Sequence, residues 1–334
     1  MTYVYCECYS PIFWALHLRD KGENEVTIIT INKNVEKFCV HISMRCIYFE
    51  RIPLSVFKFY NVNKFKRNIK SILKLIKIKE NEAFYILDNA FLLEGFYFSH
   101  LLKNKKNVIY FKCIEFNELY KSHVNKKYII TKLNTIFYKI FLKIDLVIKS
   151  IDNNKPVIGI NKNFLVKNNI SISKENKSFN EIKIELIKRN KINFGPVHSL
   201  FIDAGPPESA TYLKSNHMRD ILLLLRKYSE KIMIKEHPNF KRDVDFFNDF
   251  KLIPDYFPAE LILHGIQKNV ISISSTTLIS SANLDKLKTI SLLDIVEWES
   301  NANKEQIKQN LIKESGNNII FVKTIEELEK LIMI

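Results

Sequence analysis

The chain of 334 residues has only seven glycines, and neither GxGxxG nor GxxxxGK[ST] occurs in it. The usual glycine-loop signatures for nucleotides are therefore missing, and any bound phosphate must be held more by side chains than by a glycine loop. Lys, Asn and Asp interrupt every apolar run, so none approaches the roughly 20 residues of a membrane-spanning helix. The five cysteines (Cys6, Cys8, Cys39, Cys46 and Cys113) are odd in number and lack paired CxxC spacing. They read as buried reduced thiols within strands, which fits a cytoplasmic protein. Met1 to Cys8 lacks the basic segment, apolar run and small-residue cleavage site of a secretory signal. No His/Cys cluster suggests a metal. Asp243-Val244-Asp245 has DxD spacing, but in a polar, helical stretch it reads as two exposed carboxylates. Neither a metal nor a cofactor is expected.

What is present is length, apolar material and positive charge. Lys and Arg number 51 against 36 Asp and Glu, a formal charge of +15, and 46% of residues are hydrophobic. That is enough for two cores, and the length exceeds one usual compact domain. The charge suits nucleic acid, an anionic membrane face or a polyanionic substrate without choosing among them. Part of it, with the abundant Asn and Ile, reads as the drift of an AT-rich genome.

Along the chain, strands and helices alternate. Strands are expected at Tyr3 to Cys8, Val26 to Ile31, within Phe38 to Phe49, at Ala83 to Leu87 and at Val108 to Ile114. Helices are expected over Ile12 to Lys21, closed by Gly22, over Asn63 to Lys79, and over Phe91 to Lys103. In the second of these, Phe65, Ile69, Ile72, Leu73 and Ile76 fall on one face and lysines on the other. Lys121 to Lys149 is basic and aromatic together, and Tyr128, Phe137, Tyr138 and Phe141 recur near helical spacing, as core residues do. Asn161 to Asn193 lacks a sustained apolar pattern, and the interdomain connection is expected within or just after it. A second alternating series follows: a strand at Ser199 to Ile202, a helix from about Ser209 to Tyr228 and a strand running into Lys235-Glu236-His237-Pro238. Further strands are expected near Lys251, Val270, Thr289 and Asn318. Thr324 to Ile334 closes as a helix with a Thr324/Glu327 capping box. This alternation predicts an α/β protein of two Rossmann-like domains, 1–193 and 194–334, facing across a cleft.

Three features fall at successive strand ends of the second domain. Lys235-Glu236-His237-Pro238 follows one strand. Pro258-Ala259-Glu260 opens a helix. Ser274-Ser275-Thr276 follows another strand and opens a helix. Open α/β sheets bind ligands at their carboxyl edge. There the hydroxyls of Ser274, Ser275 and Thr276 could hold an anion, and Lys235 and His237 could neutralise or protonate a leaving phosphate. Glu260 could take two vicinal ribose hydroxyls.

The Lys-x-His-Pro, Pro-x-Glu and Ser-Ser/Thr series, over about Ser199 to Leu293, resembles the donor domain of bacterial GT-B sialyltransferases of the lipooligosaccharide and capsular polysialyltransferase type. The resemblance implies an inverting, metal-independent glycosyltransferase. It would move sialic acid or a related nonulosonic acid from its CMP form to a surface glycan, lipooligosaccharide or capsule. His237 would contact the CMP phosphate and act as the acid, with Pro238 in its motif. Ser274 and Ser275 would bind phosphate, and Glu260 the ribose. The family's base comes from a D/E-D/E-G motif in the amino domain, and no intact copy exists here. Leu93-Glu94-Gly95 keeps two letters within a predicted helix, whereas Glu115 stands at the end of a predicted strand without the glycine. Topology favours Glu115, and Glu94 stays open.

Departure of sialic acid from CMP builds positive charge at the anomeric centre and negative charge on phosphate, so cations and hydroxyl donors belong on the phosphate side. A glutamate of the other domain would deprotonate the acceptor, and domain closure would assemble the halves. The expected partners are a CMP-sugar donor, a glycan acceptor and an anionic inner-membrane surface, with the protein cytoplasmic or peripheral on that membrane. Nucleic acid is not an expected partner. A UDP- or CDP-linked donor is the alternative within the same fold, and a non-catalytic basic module for nucleic acid or polyanions is the alternative outside it.

Overall fold

The computed structural model describes residues 1–333 except 23–24, 77–81, 88–92, 103–107, 112–127, 145, 151–155, 161–170, 173–178, 190–196, 205–212, 215–216 and 238–246. Contacts divide the chain into two units, Met1–Ile182 and Lys183–Ile334. The division precedes the expected boundary after Asn193 and lies inside a helix.

In the first unit the order is β1 (Thr2–Cys6), α1 (Ser10–Asp20), β2 (Val26–Thr30), α2 (Lys33–His41), β3 (Arg45–Tyr48), a 3₁₀ segment (Val56–Asn61) and α3 (Val62–Ile76). Then come β4 (Ala83–Leu87), α4 (Leu93–Leu101), β5 (Val108–Phe111), α5 (Tyr128–Leu142), β6 (Leu146–Ser150), β7 (Pro156–Ile160) and β8 (Ser171–Ile172). Helix α6 (Phe179–Arg189) carries the division. The sheet order is β3-β2-β1-β4-β5-β8, parallel throughout, while β6 and β7 form a separate antiparallel pair. Central strands such as Val26–Thr30 are buried on both faces, which accounts for their unbroken apolar character. The apolar face of α3 buries Val62, Phe65, Ile69, Ile72 and Ile76 in the same core as Phe84 and Phe98.

Two expectations need correction here. Phe38 to His41 is not strand but the end of α2: Asn32 caps its start by accepting from the Asn34 N–H at 2.9 Å, and Val35, Phe38 and Cys39 bury at helical spacing. Cys39 is therefore helical, and Cys8 lies beyond the end of β1. The polar stretch Asn161 to Asn193 holds α6, for which Ile182, Leu186 and Ile187 provide enough buried surface, and the division between units falls within it.

The second unit runs β9 (Val197–Ile202), β10 (Leu213–Lys214), α7 (His217–Arg226), β11 (Ile232–Lys235), β12 (Lys251–Leu252), a 3₁₀ segment (Ala259–Gly265), β13 (Ile266–Ser272) and α8 (Thr276–Ala282). It ends with β14 (Lys288–Ser291), β15 (Glu297–Trp298), α9 (Asn301–Ser315), β16 (Ile319–Phe321) and α10 (Ile325–Met333). The sheet order β12-β11-β9-β13-β14-β16 is again parallel. Where one helix was expected from Ser209, Leu213–Lys214 instead pairs antiparallel with β15, and the helix starts at His217. The capping box of α10 forms: the Thr324 hydroxyl accepts from the Glu327 N–H at 3.2 Å, and Glu327 accepts in return from the Lys323 N–H at 2.7 Å.

Numbered by appearance, each sheet reads 3-2-1-4-5-6, the doubly wound Rossmann order, with its switch point between first and fourth strands. The fold is thus two successive Rossmann-like units, the domain content of the GT-B class.

Candidate active site

In the second unit the registers set Lys235, Ile202 and Ser272 level across β11, β9 and β13. The residues just beyond them, Asp203, Glu236-His237 and Ile273-Ser274, therefore share the carboxyl edge at the switch point. The Asp203 N–H donates to the Lys235 carbonyl at 2.9 Å, and the Ser272 hydroxyl donates to the Ile202 carbonyl at 2.9 Å. These bonds fix the three strand ends against one another.

His237 is half-buried. Burial holds its imidazole below the ordinary histidine range, the nearby Lys235 ammonium adds to this, and the Asp203 carboxylate opposes it. An anionic phosphate arriving beside it would supply countercharge and favour the imidazolium. Lys235 is 4% exposed, and its Nζ donates to the carbonyls of Glu236 at 2.9 Å and Asp255 at 3.2 Å. It pins the turn that carries His237 while leaving its positive charge at the strand end.

The hydroxyl segment divides its labour. Ser275 caps α8 by accepting from the Thr277 N–H at 3.2 Å. Thr276 donates to Glu260 Oε1 at 3.5 Å. Ser274 sits just before the cap, half-buried, two residues past the end of β13. Glu260 is also paired with Lys183 Nζ of α6 at 3.2 Å. Burial alone would raise this carboxyl, but Lys183 and Thr276 hold it below the usual range. A ribose would meet a charged carboxylate that already has two partners. Pro238 lies outside the described residues, as does the Asp243-Val244-Asp245 sequence. Among the described residues no group of three or more His, Cys, Asp or Glu could hold a metal ion.

The corresponding edge of the first unit collects a different set. Glu94, near the start of α4, is 2% exposed. Arg51, on the segment after β3, donates from Nη1 to Glu7 Oε1 at 3.1 Å and from Nε to Glu94 Oε1 at 3.4 Å. The other carboxylate oxygen of each glutamate and the Tyr5 hydroxyl are buried without a hydrogen-bond partner. Burial raises Glu94 against the opposing pull of Arg51. Burial, with Glu94 adding to it and Arg51 opposing, raises Glu7 to about 7. Gly95 permits the close approach of α4 to β1 and β4: an added Cβ would stand 3.1 Å from the Tyr5 ring and 3.2 Å from Ile86. Glu115 lies outside the described residues.

Sequence reasoning missed Asp203, Glu7 and Arg51. The first two are each the residue immediately after the first strand of a unit, so the strand order, once known, points to both. Arg51 follows no strand-end rule and is visible only in three dimensions.

No family model matches the chain, and no curated protein does. Solved structures align with most of the chain at low identity. UDP-GlcNAc 2-epimerase from Methanocaldococcus jannaschii is 14% identical, with 100% of this chain and 91% of that chain covered and a TM-score of 0.48. ADP-heptose lipopolysaccharide heptosyltransferase II from E. coli is 7% identical, with 87% and 84% covered and a TM-score of 0.38.

One surface of the first unit is also distinctive. On the 3₁₀ segment Phe57, Phe59 and Tyr60 are 64–70% exposed. Helix α5 lies beside that segment: Asn134 accepts from the Val56 N–H at 2.8 Å, and the Tyr138 hydroxyl donates to the Leu54 carbonyl at 2.9 Å. Of the aromatics read there as core, Phe137 is buried, but Phe141 is exposed together with Ile136 and Ile140. Lys58, Lys132 and Lys139 are exposed on the same two elements. Among the described residues no helix is long and apolar enough to cross a membrane.

Proposed function

We propose that the protein is an inverting, metal-independent glycosyltransferase that moves sialic acid, or a related nonulosonic acid, from its CMP form to a bacterial surface glycan. The observation that carries this reading is the convergence of His237, the Lys235 charge and Ser274 at the switch point of the carboxyl sheet, with Glu260 close by on Thr276. His237 donates a proton or hydrogen bond to the leaving phosphate. Ser274, with the hydroxyls of Ser275 and Thr276, binds its oxygens. Lys235 orients the His237 turn and stabilises the growing negative charge. Glu260 takes the ribose by exchanging its bond to Thr276 for one to a sugar hydroxyl. The reacting sugar loses its bond to phosphate, whose oxygen keeps the electron pair, as the acceptor oxygen bonds the anomeric carbon from the opposite face. The acceptor proton passes to a carboxylate of the amino unit, for which Glu94 and Glu115 are the candidates named by the sequence.

The exposed aromatic and aliphatic surface with its lysines supports work at an anionic membrane face, where lipid-anchored glycans are assembled. Apolar side chains enter the headgroup layer and lysines pair with its phosphates.

Thermal unfolding with nucleotides tests the donor class, because a ligand that binds only the folded state raises the midpoint. CMP should raise the midpoint by several degrees and UDP should not. Stabilisation by UDP alone would replace the CMP reading with a UDP-sugar transferase, and stabilisation by neither would remove the nucleotide site.

A further inference from the structure

We propose that Glu7, held by Arg51 and backed by Glu94, is the carboxylate that takes the acceptor hydroxyl's proton, an assignment that rests on the transfer reaction proposed above. Glu94 is enclosed: its side chain is 3% exposed, with Arg51 beside it. The Glu7 side chain is 14% exposed, and Glu7 stands directly after β1, at the switch point where the first-unit sheet opens. Of the two, Glu7 is the less enclosed; its Oε2 is buried, so an acceptor would meet it at Oε1, the oxygen that Arg51 holds. Glu94 and Arg51 are positioning residues.

The charge arithmetic fits a pair that carries one proton between them. Two carboxylates face a single guanidinium, and each leaves one buried oxygen without a partner. Arg51 can neutralise only one negative charge, so the second is held at the expense of desolvation unless it is protonated. Every titratable or charged group found to act on Glu7 belongs to this cluster: Arg51 stabilises its anion, and Glu94 opposes it. Tyr5 and Tyr138 face the same charges and, being buried, are held above the ordinary phenol range. They stay neutral. Raised to about 7, Glu7 is a far stronger base than an ordinary carboxylate while still ionised in useful proportion near neutrality. In the transfer step the acceptor O–H bond breaks, its proton goes to a Glu7 oxygen and its oxygen bonds the anomeric carbon. The proton then leaves to solvent after product release.

The test combines a titration with turnover. In protein labelled with carbon-13 at the glutamate carboxyl, one resonance should titrate near neutral pH and vanish in Glu7→Gln. CMP-sialic acid hydrolysis, with water in the acceptor's place, should fall by about 100-fold or more in Glu7→Gln, the range for loss of a general base. Stabilisation by CMP should persist. In Glu94→Gln the alkaline-rising limb of turnover should move to lower pH by about one unit, because a like charge has been removed beside Glu7, an effect that a merely structural role would not produce. The assignment is overturned if Glu7→Gln keeps turnover within about twofold of wild type, or if no glutamate titrates near neutrality. If CMP still protects the protein in that case, the transferase reading stands without Glu7. If wild type neither hydrolyses CMP-sialic acid nor responds to CMP, the catalytic assignment falls with the transferase reading, and the titration then reports only the buried pair.

Discussion

Glu7 and Asp203 occupy the same place in the two units, one residue past the first strand of a sheet wound in the same order. Their surroundings differ. Asp203 meets His237 and the Lys235 charge, and the segment after the fourth strand brings hydroxyls. Glu7 meets Arg51, and the segment after the fourth strand brings a second carboxylate, Glu94. In the proposed reaction one edge would receive negative charge and the other a proton. Equal topology therefore fixes where chemistry occurs, and the few residues just beyond the strands fix its sign.

The contrast is broken most completely at His237. His237→Ala should lower turnover of CMP-sialic acid by about 10³-fold, or some 4 kcal/mol in activation energy, with the unfolding midpoint little changed. Retention of wild-type rates would remove the acid from the carboxyl edge.

At the amino edge the expected effect is on stability and has the opposite direction. The carboxyl of Glu7 is raised from 4.5 to about 7, so between these pH values the folded state binds more protons than the unfolded one. Wild-type stability therefore falls as pH rises through that window. Glu7→Gln, which has no such proton to lose, should be more stable than wild type above pH 7 by up to about 3 kcal/mol, with the difference closing below about pH 4.5. Urea unfolding at pH 4.5 and pH 8 measures it, and a gap of the same size at both values would show that Glu7 is not held in the protonated form. The same residue would then be poor for stability and good for catalysis, the usual trade at an active site.

The finest distinction lies between the two edge carboxylates themselves. Asp203→Asn removes the group that supports the His237 imidazolium, so the falling limb of the pH–rate profile should move to lower pH and turnover at pH 7 should drop about tenfold. An unmoved limb would mean that bound phosphate alone sets the charge of His237.

Much of this was legible in the sequence where one physical rule dominates. Buried parallel strands show as apolar runs, and α3 shows its core face in Phe65, Ile69, Ile72 and Ile76. The segments holding Lys235-His237 and Ser274-Ser275 come to one edge because parallel strands return each to it, and Glu260 joins them through Thr276. Legibility failed where two rules compete. Phe38 and Cys39 read as strand by composition, yet with Val35 they bury at helical spacing behind the Asn32 cap. Lys183 was unreadable: it lies in a polar segment, yet it is 4% exposed and paired with Glu260. Glu7 was passed over because a single glutamate after a strand has no sequence signature, and its meaning depends on Arg51, over forty residues away.

Each six-stranded sheet is drawn wholly from its own stretch of chain: β1 to β5 and β8 supply the first, and β9, β11 to β14 and β16 the second. During synthesis the first sheet thus has all its strands once Ile172 has emerged, before any strand of the second exists. That order suits folding domain by domain during synthesis, in which the earlier sheet would form before the strands that could exchange with it are made.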